Sequence, residues 1–134
     1  ALRSFVERTG SLLDSWTGKP CLVHGDFGGS NILVRETPRG WAVAAVLDWE
    51  FAFSGSPFFD LGNLLRPPLG TLAGFEGAVY DGYVGTGGVL PTGWRQMSRL
   101  VDLLAWADFM NRPYVNAALI SDAKTMIART IAGR

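Results

Sequence analysis

The sequence predicts an α+β protein, mostly helical, organised around a single β-hairpin. Apolar residues recur at helical spacing at both ends of the chain, and two β-type apolar runs lie on either side of a Pro/Gly turn. Between the hairpin and the C-terminal helical pattern, glycine and proline punctuate the chain too often for long elements.

Each element follows from its residues. Leu2, Phe5, Val6, Leu12, Leu13 and Trp16 roughly keep helical spacing, which places a first helix over Ala1 to Trp16 with Gly10 weakening its middle. Thr17-Gly18-Lys19-Pro20 stops it, because glycine relaxes the backbone and proline forbids helix behind it. A short strand is expected at Cys21 to Val23. Ile32-Leu33-Val34 and Trp41 to Leu47, joined through Thr37-Pro38-Arg39-Gly40, form the hairpin. The residues before its first strand and after its second emerge at the same end, so His24 to Asn31 and Asp48 are expected to be neighbours. Gly55 to Gly93 holds ten of the seventeen glycines with Pro57, Pro67, Pro68 and Pro91, leaving room only for short helices at Asp60 to Leu65 and Phe75 to Val84. Met97, Leu100, Val101, Leu104 and Ala107 then mark a helix that ends near Asn111, ahead of Pro113. Val115, Leu119, Ala123, Met126, Ile127 and Ile131 share one side of a last helix, Val115 to Ala132, stopped by Gly133.

At 134 residues the chain is one domain or part of one. Its 12 basic and 12 acidic side chains cancel, so it offers no broad attraction for phosphate backbones or anionic lipid, and nucleic acid and membrane surfaces are not expected partners. One cysteine, Cys21, cannot form an internal disulfide, and an apolar strand makes it a small packed hydrophobe rather than a reactive thiol. There is no secretory h-region and no apolar run of the roughly 18 residues a membrane span needs, so a soluble, cytoplasmic protein is expected.

The chemistry concentrates in His24-Gly25-Asp26-Phe27-Gly28-Gly29-Ser30-Asn31. A carboxylate and a carboxamide five positions apart, across a glycine-rich loop that opens a strand, converge on one small volume, and Asp48 arrives there from the far strand. One proton acceptor and two hard oxygen ligands are what Mg²⁺-dependent phosphoryl transfer requires.

His24-Gly25-Asp26, Asn31, the hairpin and Asp48-Trp49-Glu50 closely resemble the aminoglycoside phosphotransferase and choline kinase-like family, which shares the protein kinase fold. The stretch from Phe51 to Leu65, with Asp60-Leu61-Gly62 inside it, is similar to the family's segment after the metal aspartate. The resemblance implies that residues 1–134 are the C-terminal lobe of a kinase-like small-molecule phosphotransferase. Asp26 is then the catalytic base, Asn31 and Asp48 hold Mg²⁺, and His24 and Asp60 buttress the loop. ATP or GTP is the implied phosphoryl donor and a small molecule bearing a hydroxyl the acceptor. Asp26-Phe27-Gly28 also spells the metal-binding tripeptide of protein kinases, but His24 before it, Asn31 after it and Asp48 beyond the hairpin put Asp26 in the catalytic loop. Two departures matter. Gly28-Gly29-Ser30 stands where family members often carry histidine, proline and glycine, and Ser56 stands where aspartate is common. No glycine-rich phosphate loop, strand lysine or hinge precedes Ala1, so the N-terminal nucleotide-binding lobe is expected to be absent and the chain alone inactive.

Several residues admit two readings. Glu50 is a further metal ligand or a solvated loop residue, and Asp60 is a buttress, a helix cap or both. Trp49, Phe51, Phe53, Phe58 and Phe59 form an aromatic cage for a quaternary ammonium or, as expected here, pack onto the lobe. Asp81, Asp102 and Asp108 do not make an acidic trough, since the bases nearby match the acids. A hairpin face built to meet the missing lobe is expected to self-associate, through the hairpin side and first helix with Leu2, Phe5, Ile32 or Trp41, or by exchange of that helix. The rival functions are a binding or regulatory module that keeps a kinase-like lobe, and a metal-dependent hydrolase using His24, Asp26 and Asp48.

Overall fold

A computed structural model describes residues 2–110, 113 and 117–132, with the backbone alone for Leu2, Arg8, Phe109 and Leu119. The elements run α1 (Leu2–Asp14), β1 (Cys21–Val23), β2 (Ile32–Thr37), β3 (Gly40–Val46), β4 (Phe53–Gly55), α2 (Phe58–Leu64), α3 (Phe75–Gly85), α4 (Trp94–Met110) and α5 (Ala117–Ile131). Helices joined to small antiparallel sheets make the chain α+β, as its sequence predicts. It divides into two compact units, residues 18–90 and the paired segments 1–17 and 91–134.

In the unit formed by residues 18–90, β2 and β3 pair antiparallel from Ile32 opposite Val46 to Thr37 opposite Gly40. The register slips between Leu33 and Val34, so that Ala44 is the extra residue of a β-bulge. Gly40 takes φ +103 at the turn, which explains the glycine there. Val34 sits across from Val43 and Glu36 across from Trp41, two successive pairs on one face of the hairpin. That face is open: Trp41 is 73%, Val43 62% and Val34 55% exposed.

β1 lies where the short strand was expected, at Cys21–Val23, but its partner was not legible in advance. It pairs antiparallel with β4, Val23 opposite Phe53 and Cys21 opposite Gly55, and the three residues of β4 are too few to show an alternation. Val23, Pro57, Phe58 and Leu61 are the buried apolar side chains of this unit.

Helix α2 begins two residues before the expected Asp60, because Pro57, with φ −63, is already set for helix and leads straight into Phe58. Asp60 therefore lies inside the first turn and does not cap it, which corrects the capping alternative and frees its carboxylate for other partners.

In the other unit α4 packs against both α1 and α5. Contact on two sides widens its buried arc to Met97, Ser98, Leu100, Val101, Asp102 and Leu103. Leu104, expected inside, is instead 45% exposed, since the covered arc is centred one residue earlier. Ala123 of α5 is fully buried, as expected. The expected helix boundaries at Ala1, Asn111, Val115 and Gly133 lie outside the described residues. Among the described residues no helix is long and apolar enough to cross a membrane.

Candidate active site

The loop from His24 to Asn31 leaves β1 and enters β2, and hydrogen bonds from α2 and from the residue that follows β3 fix it. Asp60 Oδ2 accepts from the His24 backbone N–H at 2.8 Å and Oδ1 from that of Gly25 at 3.0 Å, so one carboxylate spans two consecutive donors. Asp60 thereby links α2 to the start of the loop. Gly25 takes φ +86, and a Cβ there would lie 2.6 Å from the Phe51 carbonyl oxygen, so only glycine lets the loop approach the segment after β3.

His24, 1% exposed, ties the loop to Leu47, the residue that follows β3. Its Nδ1 accepts from the Asp26 backbone N–H at 3.2 Å, so that nitrogen carries no proton. The proton sits on Nε2, which donates to the Leu47 carbonyl at 2.7 Å. Trp49 lies against the ring at 4.6 Å between centroids and Phe27 at 5.9 Å. Both nitrogens are occupied, which makes His24 a brace rather than a base.

Asp26 is half-buried and held at both oxygens. Asn31 Nδ2 donates to its Oδ2 at 3.1 Å and to its backbone carbonyl at 2.9 Å. Asn63 Nδ2, from α2, donates to its Oδ1 at 3.4 Å. Sequence reasoning missed Asn63. A lone asparagine on a short helix looks like any solvated polar residue, and the only available signal was its position three residues after Asp60, on the same helix face.

Asp48 is brought to this end of the hairpin by its neighbour. The Leu47 N–H donates to the Asn31 carbonyl at 2.8 Å while its own carbonyl holds His24, so Asp48 follows a residue anchored on both sides. Asp48 adopts the left-handed conformation, φ 66 and ψ 56, and its side chain makes no capping bond to the 3₁₀ turn Trp49–Phe51 that it opens. A non-glycine residue there stores on the order of 1 kcal/mol, least for Asp and Asn, a cost characteristic of functional positions. Glu50 lies in that turn, exposed.

Because Asn31 directs its Nδ2 at Asp26, its Oδ1 is the free end of the carboxamide. A carboxamide oxygen and the carboxylate of Asp48 are each the kind of oxygen donor that a hard cation takes. Among the described residues no three His, Cys, Asp or Glu side chains converge as a metal cage.

The aromatic residues split. Phe58 is wholly buried, Phe53 and Phe59 meet edge-on at 5.0 Å, and Trp49 and Phe51 are about half exposed. Packing, the expected reading, thus accounts fully for Phe58 alone. Cys21, half-buried, directs its thiol at the Gly55 carbonyl, and burial first, then the Asp60 charge, pushes its pKa up while its own backbone hydrogen bond pulls the other way. The thiolate fraction at neutral pH is accordingly below that of a free cysteine.

Two comparisons bear on this arrangement. Residues 2–100, 99 of the 134, match the phosphotransferase enzyme family. A 44-residue stretch, 33% of this chain, is 50% identical to acyl-CoA dehydrogenase family member 11 of Rattus norvegicus and likewise to that of Mus musculus. The match spans 5% of the length of those two proteins.

Proposed function

The chain belongs to the phosphotransferase enzyme family, and on that premise we propose that it is the C-terminal lobe of a kinase-like enzyme that moves the γ-phosphoryl group of ATP or GTP to a hydroxyl of a small molecule. One observation carries the reading: Asp26 is held as an oriented carboxylate by Asn31, whose carboxamide oxygen is left free beside a chain end that delivers Asp48.

Asp26 accepts the proton of the acceptor hydroxyl. As it does so the oxygen bonds to phosphorus, the bond from phosphorus to the nucleoside diphosphate breaks, and the proton later leaves Asp26 for solvent. A phosphate ester and a nucleoside diphosphate result. Asn31 Oδ1 and Asp48 would hold Mg²⁺, which when bound neutralises charge on the nucleotide phosphates. His24 and Asp60 act through the backbone, keeping Asp26 and Leu47 in register. Orientation of this kind is the main source of rate in phosphoryl transfer, where little covalent chemistry falls to the protein.

The nucleotide lobe of the full enzyme covers the open hairpin face of Val34, Trp41 and Val43, and residues 1–134 alone associate through it and transfer no phosphate. The localisation is cytoplasmic. In the full-length protein Asp26→Ala abolishes phosphoryl transfer, a loss of roughly 10²–10⁴-fold, and leaves the affinity for Mg·ATP within about twofold. Unchanged turnover in that variant removes Asp26 from the role of base. Steady-state kinetics and calorimetric titration read the two effects separately.

A further inference from the structure

We propose that Asn63 is a positioning residue for phosphoryl transfer, holding the second oxygen of Asp26 so that the carboxylate plane is fixed toward the incoming hydroxyl. This rests on the reading of Asp26 as the base.

A carboxylate gripped at one oxygen can still turn about its Cβ–Cγ bond, a torsion with broad minima. Asn31 Nδ2 grips Oδ2 at 3.1 Å, and Asn63 Nδ2, on a different element, meets Oδ1 at 3.4 Å. Two donors from two elements define the plane. Each oxygen has two acceptor sites and gives up one, so a lone pair remains on each for a substrate hydroxyl. Both donors are neutral, so they orient the anion without cancelling the charge that draws the proton.

The origin of Asn63 strengthens the case. It stands three residues after Asp60 on one face of α2. From that face Asp60 holds the backbone N–H groups of His24 and Gly25, and Asn63 holds the side chain of Asp26. One helix face thus grips three consecutive residues of the loop. The other end of the carboxamide lies on the Gly28 side of the loop, where an added Cβ would sit 3.8 Å from Asn63 Oδ1.

The test uses the full-length protein, with Mg·ATP as donor and water as acceptor, reading phosphate release. Asn63→Ala lowers kcat by about 10 to 100-fold with the KM for Mg·ATP within about twofold. Asn63→Asp, although isosteric, lowers kcat roughly tenfold further, because it replaces the donor with an anion facing Asp26. A merely structural residue gives the opposite order, the isosteric variant being the milder. Asp26→Asn separates the two ideas. If it is inactive while both Asn63 variants keep their kcat, the role of Asn63 is overturned and the base stands; if it stays active, the base reading falls and the role of Asn63 with it. A measurement independent of turnover and of the Asn63 variants' folding is the side-chain amide signal of Asn63 in protein labelled with ¹⁵N-asparagine. It shifts upfield on Asp26→Ala, and an unmoved signal overturns the contact.

Discussion

Replacing Asp60 tests how strongly one side chain holds the loop in place. Its carboxylate accepts from His24 N–H at 2.8 Å and Gly25 N–H at 3.0 Å. Hydrogen bonds to a charged acceptor each contribute about 1.5–3 kcal/mol. The two donors differ in what happens after the loss. Gly25 is exposed and its N–H can turn to water, whereas His24 is 1% exposed and its N–H is left without a partner. Asp60→Ala therefore costs about 2–4 kcal/mol, nearly all of it from His24, a large part of a typical domain stability of about 5–15 kcal/mol. Asp60→Asn keeps an oxygen for His24 and turns its amide toward the exposed donor, so it costs only about 1–2 kcal/mol. Urea denaturation followed by tryptophan fluorescence reads both. With a slope of about 2 kcal/mol/M, the midpoint falls by about 1–2 M for alanine and about 0.5–1 M for asparagine. Equal midpoints for the two variants, or a fall below about 0.3 M for alanine, would falsify the buttress as the source of loop stability.

Three further outcomes follow from particular residues. Gly25→Ala strains a φ of +86 and drives a Cβ to 2.6 Å from a carbonyl oxygen, so thermal unfolding should show a loss of about 2–4 kcal/mol, and an unchanged Tm contradicts the close approach. The Cys21 thiol has a raised pKa from burial and from Asp60, so its neutral form is stabilising up to the free-thiol pKa, and that contribution is lost as pH rises through the folded value. Iodoacetamide should accordingly alkylate it more slowly than free cysteine at pH 8, and an equal rate argues against a packed thiol. For residues 1–134 alone, light scattering at micromolar concentration should show association that Trp41→Glu suppresses, because that indole is 73% exposed beside Val43. A monomer both before and after the substitution removes the hairpin face as an interface.

Much of the local structure was legible because it is governed by local rules. The hairpin follows from two β-type runs and a turn containing Gly40, and its ends had to meet because antiparallel strands return to their origin. The nearness of Asn31 and Asp48 was therefore contained in the order of residues, as was the pairing of chemical types that points to phosphoryl transfer. What depends on distant contacts was not. Strand β4 exists only because β1 lies beside it, and three residues carry no pattern of their own. The buried arc of α4 is decided by two helices pressing on it, so Leu103 lies inside and Leu104 outside. Asn63 could not be picked out from sequence, because a carboxamide has no function until a partner 37 positions away is placed within reach of it. Asp60 was picked out, yet its type allowed a cap or a buttress until the start of α2 at Phe58 turned its carboxylate to His24 and Gly25. Sequence determines which groups are available and which short segments they form; which oxygen meets which proton is decided by tertiary packing, because hydrogen bonds act over about 3 Å and the chain order does not encode distances that small.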